Sequence, residues 1–213
     1  MATTKVDVNL ISATGTASSS TFLRGDSAWS AVSAAPWNII GTSVASTSAS
    51  LTITGLDSTY DTYHIALSDM VPATDDADIM FRFGDSSGID TGASDYAVAS
   101  RFGRSDGTST GNYFDAVGAE MILTQNDGGT EDVGNATGEG FGGNFWLTRP
   151  ADGTTYPSLH GTGVYRCASA TVTKSTLNAG QRLSVISLDR IQVLFNAGNI
   201  TSGRMTIWGI AHA

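Results

Sequence analysis

The chain has 213 residues, a formal net charge of −9 and a charged fraction of only 15%, against roughly 25% in ordinary globular proteins. The negative charge argues against nucleic-acid binding, which requires a basic surface, and against adsorption to anionic lipid headgroups. The single cysteine, Cys167, excludes an intrachain disulfide, and no apolar run has the length of a transmembrane helix.

The first predicted element is a short strand over Lys5–Ile11, where Val6, Val8 and Leu10 alternate with polar residues. It has no partner nearby in the sequence, so we expect it to pair with the sheet edge of another chain or to lie along a neighbouring subunit. The start of the chain lacks a basic segment followed by an apolar one, so no secretory signal is expected.

Residues 12–35 are rich in small polar residues and contain few large apolar side chains, so they cannot bury a core. Ordering such a segment costs about 1–2 kcal/mol per residue in backbone entropy. We therefore interpret residues 1–35 as an extended arm that binds a partner, and we expect Arg24-Gly25-Asp26 to form a turn rather than an adhesion triplet. The predicted partner-binding residues of the arm are Phe22, Leu23, Arg24, Asp26 and Trp29.

The body, residues 36–213, reads as short strands separated by Gly-, Asp- and Ser-rich turns. Strands are predicted at Leu51–Thr54, Tyr63–Leu67, Ile79–Phe83, Ala119–Thr124, Asn144–Thr148, Gly163–Arg166, Ala170–Lys174, Arg190–Phe195 and Arg204–Ile210. Ser175–Arg182 fits one short helical turn, and Asp85–Asp95 and Gln125–Gly143 are predicted to be long loops. The pattern predicts an all-β fold, a β-sandwich or jelly roll carried by an extended N-terminal arm.

Groups that carry enzyme chemistry do not form a recognisable pattern. There is no Gly-x-Ser-x-Gly motif, and of the histidines His64, His160 and His212 the first lies inside a predicted strand as a hydrogen-bonded structural residue. Cys167 is predicted to be a small buried hydrophobe. No catalytic residue and no cofactor site is predicted.

Two clusters of acidic residues leave two functions open, glycosidic hydrolysis and calcium binding. The first cluster comprises Asp75, Asp76 and Asp78, and the second comprises Asp127, Glu131 and Asp132. Paired carboxylates hydrolyse glycosidic bonds in some enzymes, and acidic loops bind calcium in others. Neither cluster matches the EF-hand loop, and both fall in turns, so the favoured interpretation is solvated turn residues without a metal.

Aromatic residues suggest either sugar stacking or packing. Trp37, Trp146 and Trp208 lie in or beside alternating segments, which favours the core or a subunit interface. The aromatic residues predicted to be exposed in loops are Tyr96, Tyr113, Phe114 and Tyr156.

The segment Ser20–Trp29, Ser-Thr-Phe-Leu-Arg-Gly-Asp-Ser-Ala-Trp, resembles the TFLRGDGTW segment of tail fibres and related surface proteins of tailed bacteriophages. Ser27 and Ala28 stand where that segment commonly has Gly and Thr. Several stretches of the body are similar to small phage structural domains: Trp37–Ile40, Ile53–Tyr63, Val71–Asp76 and Ser202–Ile210. The resemblance implies a virion structural protein, commonly three-fold symmetric.

We therefore expect a non-enzymatic homotrimer on the virion surface, assembled in the host cytoplasm and released by lysis. The expected function is that of a short tail fibre, in which the arm binds the tail or baseplate and the body recognises a host surface glycan or receptor. The alternatives are a head decoration (cement) protein that binds the major capsid protein, and a glycan-degrading enzyme. Neither nucleic acid nor membrane insertion is expected.

Overall fold

The computed structural model describes residues 13–31, 36–107, 110–124, 131–148, 150–168 and 172–211. The described residues contain no helix and 59% strand, so the all-β prediction is confirmed. None of these residues forms a helix able to span a membrane. The chain divides into two compact units, Met1–Pro36 and Trp37–Ala213. The strand predicted at Lys5–Ile11 lies outside the described residues.

The described part of the first unit contains a β-hairpin that the sequence pattern does not predict. Its strands, β1 (Thr21–Leu23) and β2 (Trp29–Ala31), pair antiparallel, with Leu23 opposite Trp29. The predicted turn between them is present, because the N–H of Ser27 donates to the carbonyl of Arg24 at 3.0 Å. Ser27 has a φ of 60°, a left-handed conformation that favours glycine.

The second unit is built from two antiparallel sheets. Its strands are β3 (Trp37–Val44), β4 (Leu51–Thr54), β5 (Thr62–Pro72), β6 (Ile79–Asp85), β7 (Gly88–Ile89), β8 (Tyr96–Arg104), β9 (Thr110–Gly118), β10 (Met121–Ile122), β11 (Gly140–Thr148), β12 (Ser158–Arg166), β13 (Thr173–Arg182), β14 (Arg190–Phe195) and β15 (Ile200–Ile210). The large sheet has eight strands in the order β3-β15-β5-β11-β12-β13-β8-β9, and the small sheet has the order β10-β6-β14-β4 with β7 beside β6.

The hydrophobic core lies between the two sheets, as alternating residues require. Ile65 and Phe145 of the large sheet are fully buried with Phe81 and Val193 of the small sheet. The rings of Phe81 and Phe145 meet edge to face across the core, with their centroids 5.2 Å apart. The β-sandwich prediction is thereby confirmed, while the specific jelly-roll connectivity stays a prediction.

Glycines on β12 make room for this aromatic packing. A Cβ atom on Gly161 would overlap the ring of Phe145, and one on Gly163 would overlap the ring of Phe141. The inner face of β12 therefore carries Leu159 and Tyr165 as its large side chains, and the phenylalanines of β11 fill the space beside them.

Several element predictions were wrong or incomplete. Ser175–Arg182, predicted as a helical turn, is part of β13, because inward Thr176 and Asn178 pair with neighbouring strands of the large sheet. β8 and β9 arise where no strand was predicted, since Ser, Arg and Gly interrupt the apolar residues of β8, and Gly, Asn and Asp interrupt those of β9. Strand placement at Leu51–Thr54 and Arg190–Phe195 is confirmed.

Candidate functional site

The predicted anchors of the arm lie on the hairpin and its turn. Phe22 and Leu23 are 49% and 40% exposed, while Trp29 is half-buried. Arg24 and Asp26 form an ion pair at 3.3 Å across the turn, and the carboxylate of Asp26 also accepts a hydrogen bond from the N–H of Ala28. The turn is therefore fixed by its own charges, and its two apolar side chains on β1 face solvent.

The two acidic clusters come together at one place in the body, where the sequence predicted separate solvated turns. The N–H of Asp132 donates to Oδ1 of Asp76 at 2.8 Å, and the carboxyl groups of Asp78 and Asp132 lie within hydrogen-bonding reach of each other. Asp132 is buried, so the prediction of a solvated turn is wrong for this residue. Asp127 lies outside the described residues.

Burial sets the protonation of this pair. It raises the pKa of Asp132 to about 8, with repulsion from Asp78 as the second cause, and it raises the pKa of Asp78 to about 6. Asp76 adds repulsion, and Lys174 opposes the shift of Asp132. Two adjacent carboxyl groups repel each other when both are ionised, which favours the protonated form of one of them near neutral pH. No described set of three or more His, Cys, Asp and Glu side chains is arranged to hold a metal ion.

A prediction on pH dependence follows from this pair. The folded protein holds a proton on Asp132 that the unfolded chain releases near pH 4, so this group stabilises the fold at low pH and its contribution falls as the pH rises from about 4 to about 8. Asp132→Asn, whose amide donates to Asp78 without titrating, is expected to raise the melting temperature at pH 8 by about 2–4 °C or more and to change it little at pH 4.

The control for that experiment is Glu120→Gln, which removes a carboxylate paired with Arg82 at 3.0 Å on the other side of β6. Its effect on the melting temperature is expected to be small at both pH values. Equal effects of Asp132→Asn at pH 4 and pH 8 in thermal melts would contradict a shared proton at this site.

Beside the pair, Lys174 is fully buried and forms an ion pair with Glu131 at 2.9 Å. Glu131 also pairs with Arg104, and these two cations, Arg104 first, lower its pKa. Nζ of Lys174 lies 5.0 Å from the ring centroid of Phe102, a cation–π contact. These ion pairs hold the segment around Glu131 against β13 and β8.

The histidine and cysteine predictions have mixed outcomes. Cys167 is buried, as predicted, and burial raises the pKa of its thiol. Burial lowers the pKa of His64, and a hydrogen bond with the side chain of Asn144 opposes that shift. Its Nδ1 is buried without a hydrogen-bond partner among the described residues, so the expected hydrogen bonding of this histidine is present in part. His160 is exposed on β12, and His212 lies outside the described residues.

The tryptophans surround His64 on the outer face of the large sheet, the face turned away from the core. Trp146 and Trp208 are the cross-strand neighbours of His64 on β11 and β15, and their rings lie 4.8 and 5.5 Å from the imidazole centroid. Trp37 packs 5.2 Å from it and is 44% exposed. The prediction of core packing is therefore wrong for these three residues, while an interface or ligand role stays a prediction.

The four aromatic residues predicted to be exposed in loops differ in their burial. Tyr96 is fully buried, and its hydroxyl donates to the carbonyl of Phe83 at 3.1 Å, so the expectation of exposure is wrong. Tyr113 is half-buried on β9. Phe114, also on β9, is 67% exposed, and Tyr156 is exposed in a loop.

A wide groove crosses the outer face of the large sheet, and no sequence motif indicated it. This outer groove has a volume of about 980 Å³. Its floor is lined by small residues on adjacent strands, including Gly103, Gly142, Thr162 and Ser175. Small outward residues on several neighbouring strands are a signal that would have located it, but only once the strand order was known.

The fold and these surfaces define a β-sandwich protein with an exposed apolar hairpin and an open groove on its larger sheet. Comparisons with protein-family models, with curated proteins and with solved structures gave no match to this chain.

Proposed function

We propose that this protein is a non-enzymatic structural protein on the surface of a tailed-phage virion, a short tail fibre that the arm attaches and whose body recognises the host. The observation that carries the recognition role is the outer groove, because a concave, solvent-open surface of this size is typical of ligand sites. The Ser20–Trp29 segment supports the virion assignment through its resemblance to phage tail fibres.

The geometry of the Asp78 and Asp132 carboxyl groups supports the non-enzymatic part of this proposal. The catalytic carboxyl groups of glycosidases lie roughly 5 to 9.5 Å apart across an open cleft. Asp78 and Asp132 are instead in hydrogen-bonding reach of each other, and Asp132 is buried. A sugar chain has no room between two such groups, so they do not fit that chemistry.

Attachment through the arm is supported by Phe22 and Leu23. Two neighbouring large apolar residues that are 49% and 40% exposed, on a hairpin fixed by the Arg24–Asp26 pair, are suited to insertion into a partner. We include a homotrimer in the proposal, since Ile39 and Val44 are exposed on the edge strand β3. Light scattering is expected to give about three times the chain mass of 22.0 kDa.

The test is immunogold labelling of intact particles with an antibody against the body. Label confined to the tail is expected. Label on the capsid faces would replace the tail-fibre role with that of a head decoration protein bound to the major capsid protein. Release of reducing sugar from host glycan by the purified protein would contradict the non-enzymatic part of the proposal.

A further inference from the structure

The cations of this acidic protein are distributed unevenly. Among the described residues, every Lys and Arg side chain forms an ion pair with a carboxylate except Arg101, Arg166 and Arg204. All three lie on strands of the large sheet: β8, β12 and β15. Arg101 and Arg204 are exposed and alternate with buried Phe102 and Met205, so they project from the outer face.

Arg101 and Arg204 both line the outer groove, on strands at opposite ends of it. Arg101 is paired across strands with Leu177, and Arg204 with Ser68. Five strand spacings separate β8 from β15, which is roughly 24 Å at about 4.8 Å per spacing. Two unpaired guanidinium groups at this separation fit a long ligand that carries more than one anionic group.

Between Arg101 and Arg204, the outer groove is lined by both polar and apolar side chains. Asn144 and Thr162 are cross-strand neighbours on the floor of the outer groove, and they provide amide and hydroxyl groups. Val164 and Leu177 also line it and are 51% and 57% exposed. Sugar rings carry hydroxyl groups at their edges and C–H groups on their faces, so they match this combination. Among the described residues, Asp69 is the one carboxylate that lines the outer groove.

We propose that the outer groove binds an anionic glycan that crosses the strands, with acidic groups at Arg101 and Arg204 and with its rings on Val164 and Leu177. This inference rests on the proposed host-recognition function and gives the chemical class of its ligand. The chemistry required is a hydroxyl-rich chain with carboxylate or phosphate groups, which the planar guanidinium binds through paired hydrogen bonds.

The test measures binding of the full-length protein by isothermal titration calorimetry to four probes of similar length. These are a polygalacturonate with carboxylates, a phosphorylated mannan, neutral dextran and polyglutamate, an anionic chain without sugar. Polygalacturonate or phosphomannan is expected to bind at least about tenfold more tightly than dextran and polyglutamate, and the preferred one identifies the anionic group. The affinity is expected to fall with added salt.

Two kinds of variant test the site itself. Arg101→Gln and Arg204→Gln are each expected to weaken binding about tenfold, the loss of a charge-assisted contact. Gly142→Leu changes no charge but fills the floor, and it is tolerated by the backbone because a Cβ there would lie 3.7 Å from the carbonyl of Leu67. Arg190→Gln, which removes an arginine paired with Asp189 on the small sheet, is the matched control and is expected to bind normally.

Several results would overturn this inference. They are equal affinity for dextran, equal affinity for polyglutamate, no binding of any probe up to millimolar concentration, or unchanged affinity of both arginine variants with wild-type melting temperatures. If these occur while immunogold label lies on the tail, the ligand class fails and the virion role stands. If the glycan binds but the particles carry no label, the virion role fails and the groove assignment stands.

Discussion

Replacing Phe22 and Trp29 together by alanine is expected to remove the protein from virions while leaving its body folded. Truncating a buried aromatic anchor costs about 2 kcal/mol or more at an interface, which is about thirty-fold in affinity. Phe22 is 49% exposed in the free chain, so its truncation removes little packing. The measurement is the copy number in purified particles by quantitative mass spectrometry, with the melting temperature measured separately.

The matched control is Tyr156→Ala, which truncates a similarly exposed aromatic residue, 44% exposed, in the body. It is expected to incorporate at the wild-type copy number. Wild-type incorporation of the double variant would show that the arm is not the attachment device. In that case the body carries the docking surface, and the exposed side chains of β3 become the next residues to replace.

The second large effect concerns the core between the sheets. Phe145→Ala is expected to destabilise the protein by about 3–5 kcal/mol, because it removes a fully buried ring and leaves a cavity. Its ring lies 5.2 Å from that of Phe81, so the variant breaks a contact that joins the two sheets. Chemical denaturation monitored by tryptophan fluorescence measures the change in the free energy of unfolding.

Phe114→Ala is the control for this prediction, since Phe114 lies on another strand of the same sheet but is 67% exposed. Its effect on the free energy of unfolding is expected to stay within about 0.5 kcal/mol. Similar effects of the two variants would contradict the assignment of Phe145 to the packed layer between the sheets.

Elements with strict alternation were predicted well from the sequence. Tyr63, Ile65 and Leu67 were predicted to share a face, and all three are buried in the core. The helical turn predicted within β13 was wrong because the inward residues of this strand are polar. Lys174 forms an ion pair with Glu131, and Asn178 hydrogen-bonds to Thr176 at 2.9 Å. A sequence pattern assigns such residues to the surface, since only neighbouring strands supply the partners that make their burial possible.

The prediction that the acidic residues lie in solvated turns was wrong for Asp132 for a related reason. Asp78 and Asp132 are far apart in the sequence, and they meet because the bridge between Ala77 and Val133 brings their segments together. Local sequence gives each aspartate the character of a turn residue. The burial and mutual repulsion that raise their pKa values exist only in the folded chain.

The all-β class, the inward residues of the regular strands and the apolar residues of the arm could be predicted from the sequence, because alternation and composition are local properties. The arrangement of side chains on the outer face of the large sheet depends on the tertiary structure. Trp146, His64 and Trp208 became neighbours through the order β11-β5-β15. Arg101 and Arg204 came to opposite ends of one groove in the same way, since strand order is fixed by long-range packing between the sheets rather than by local sequence.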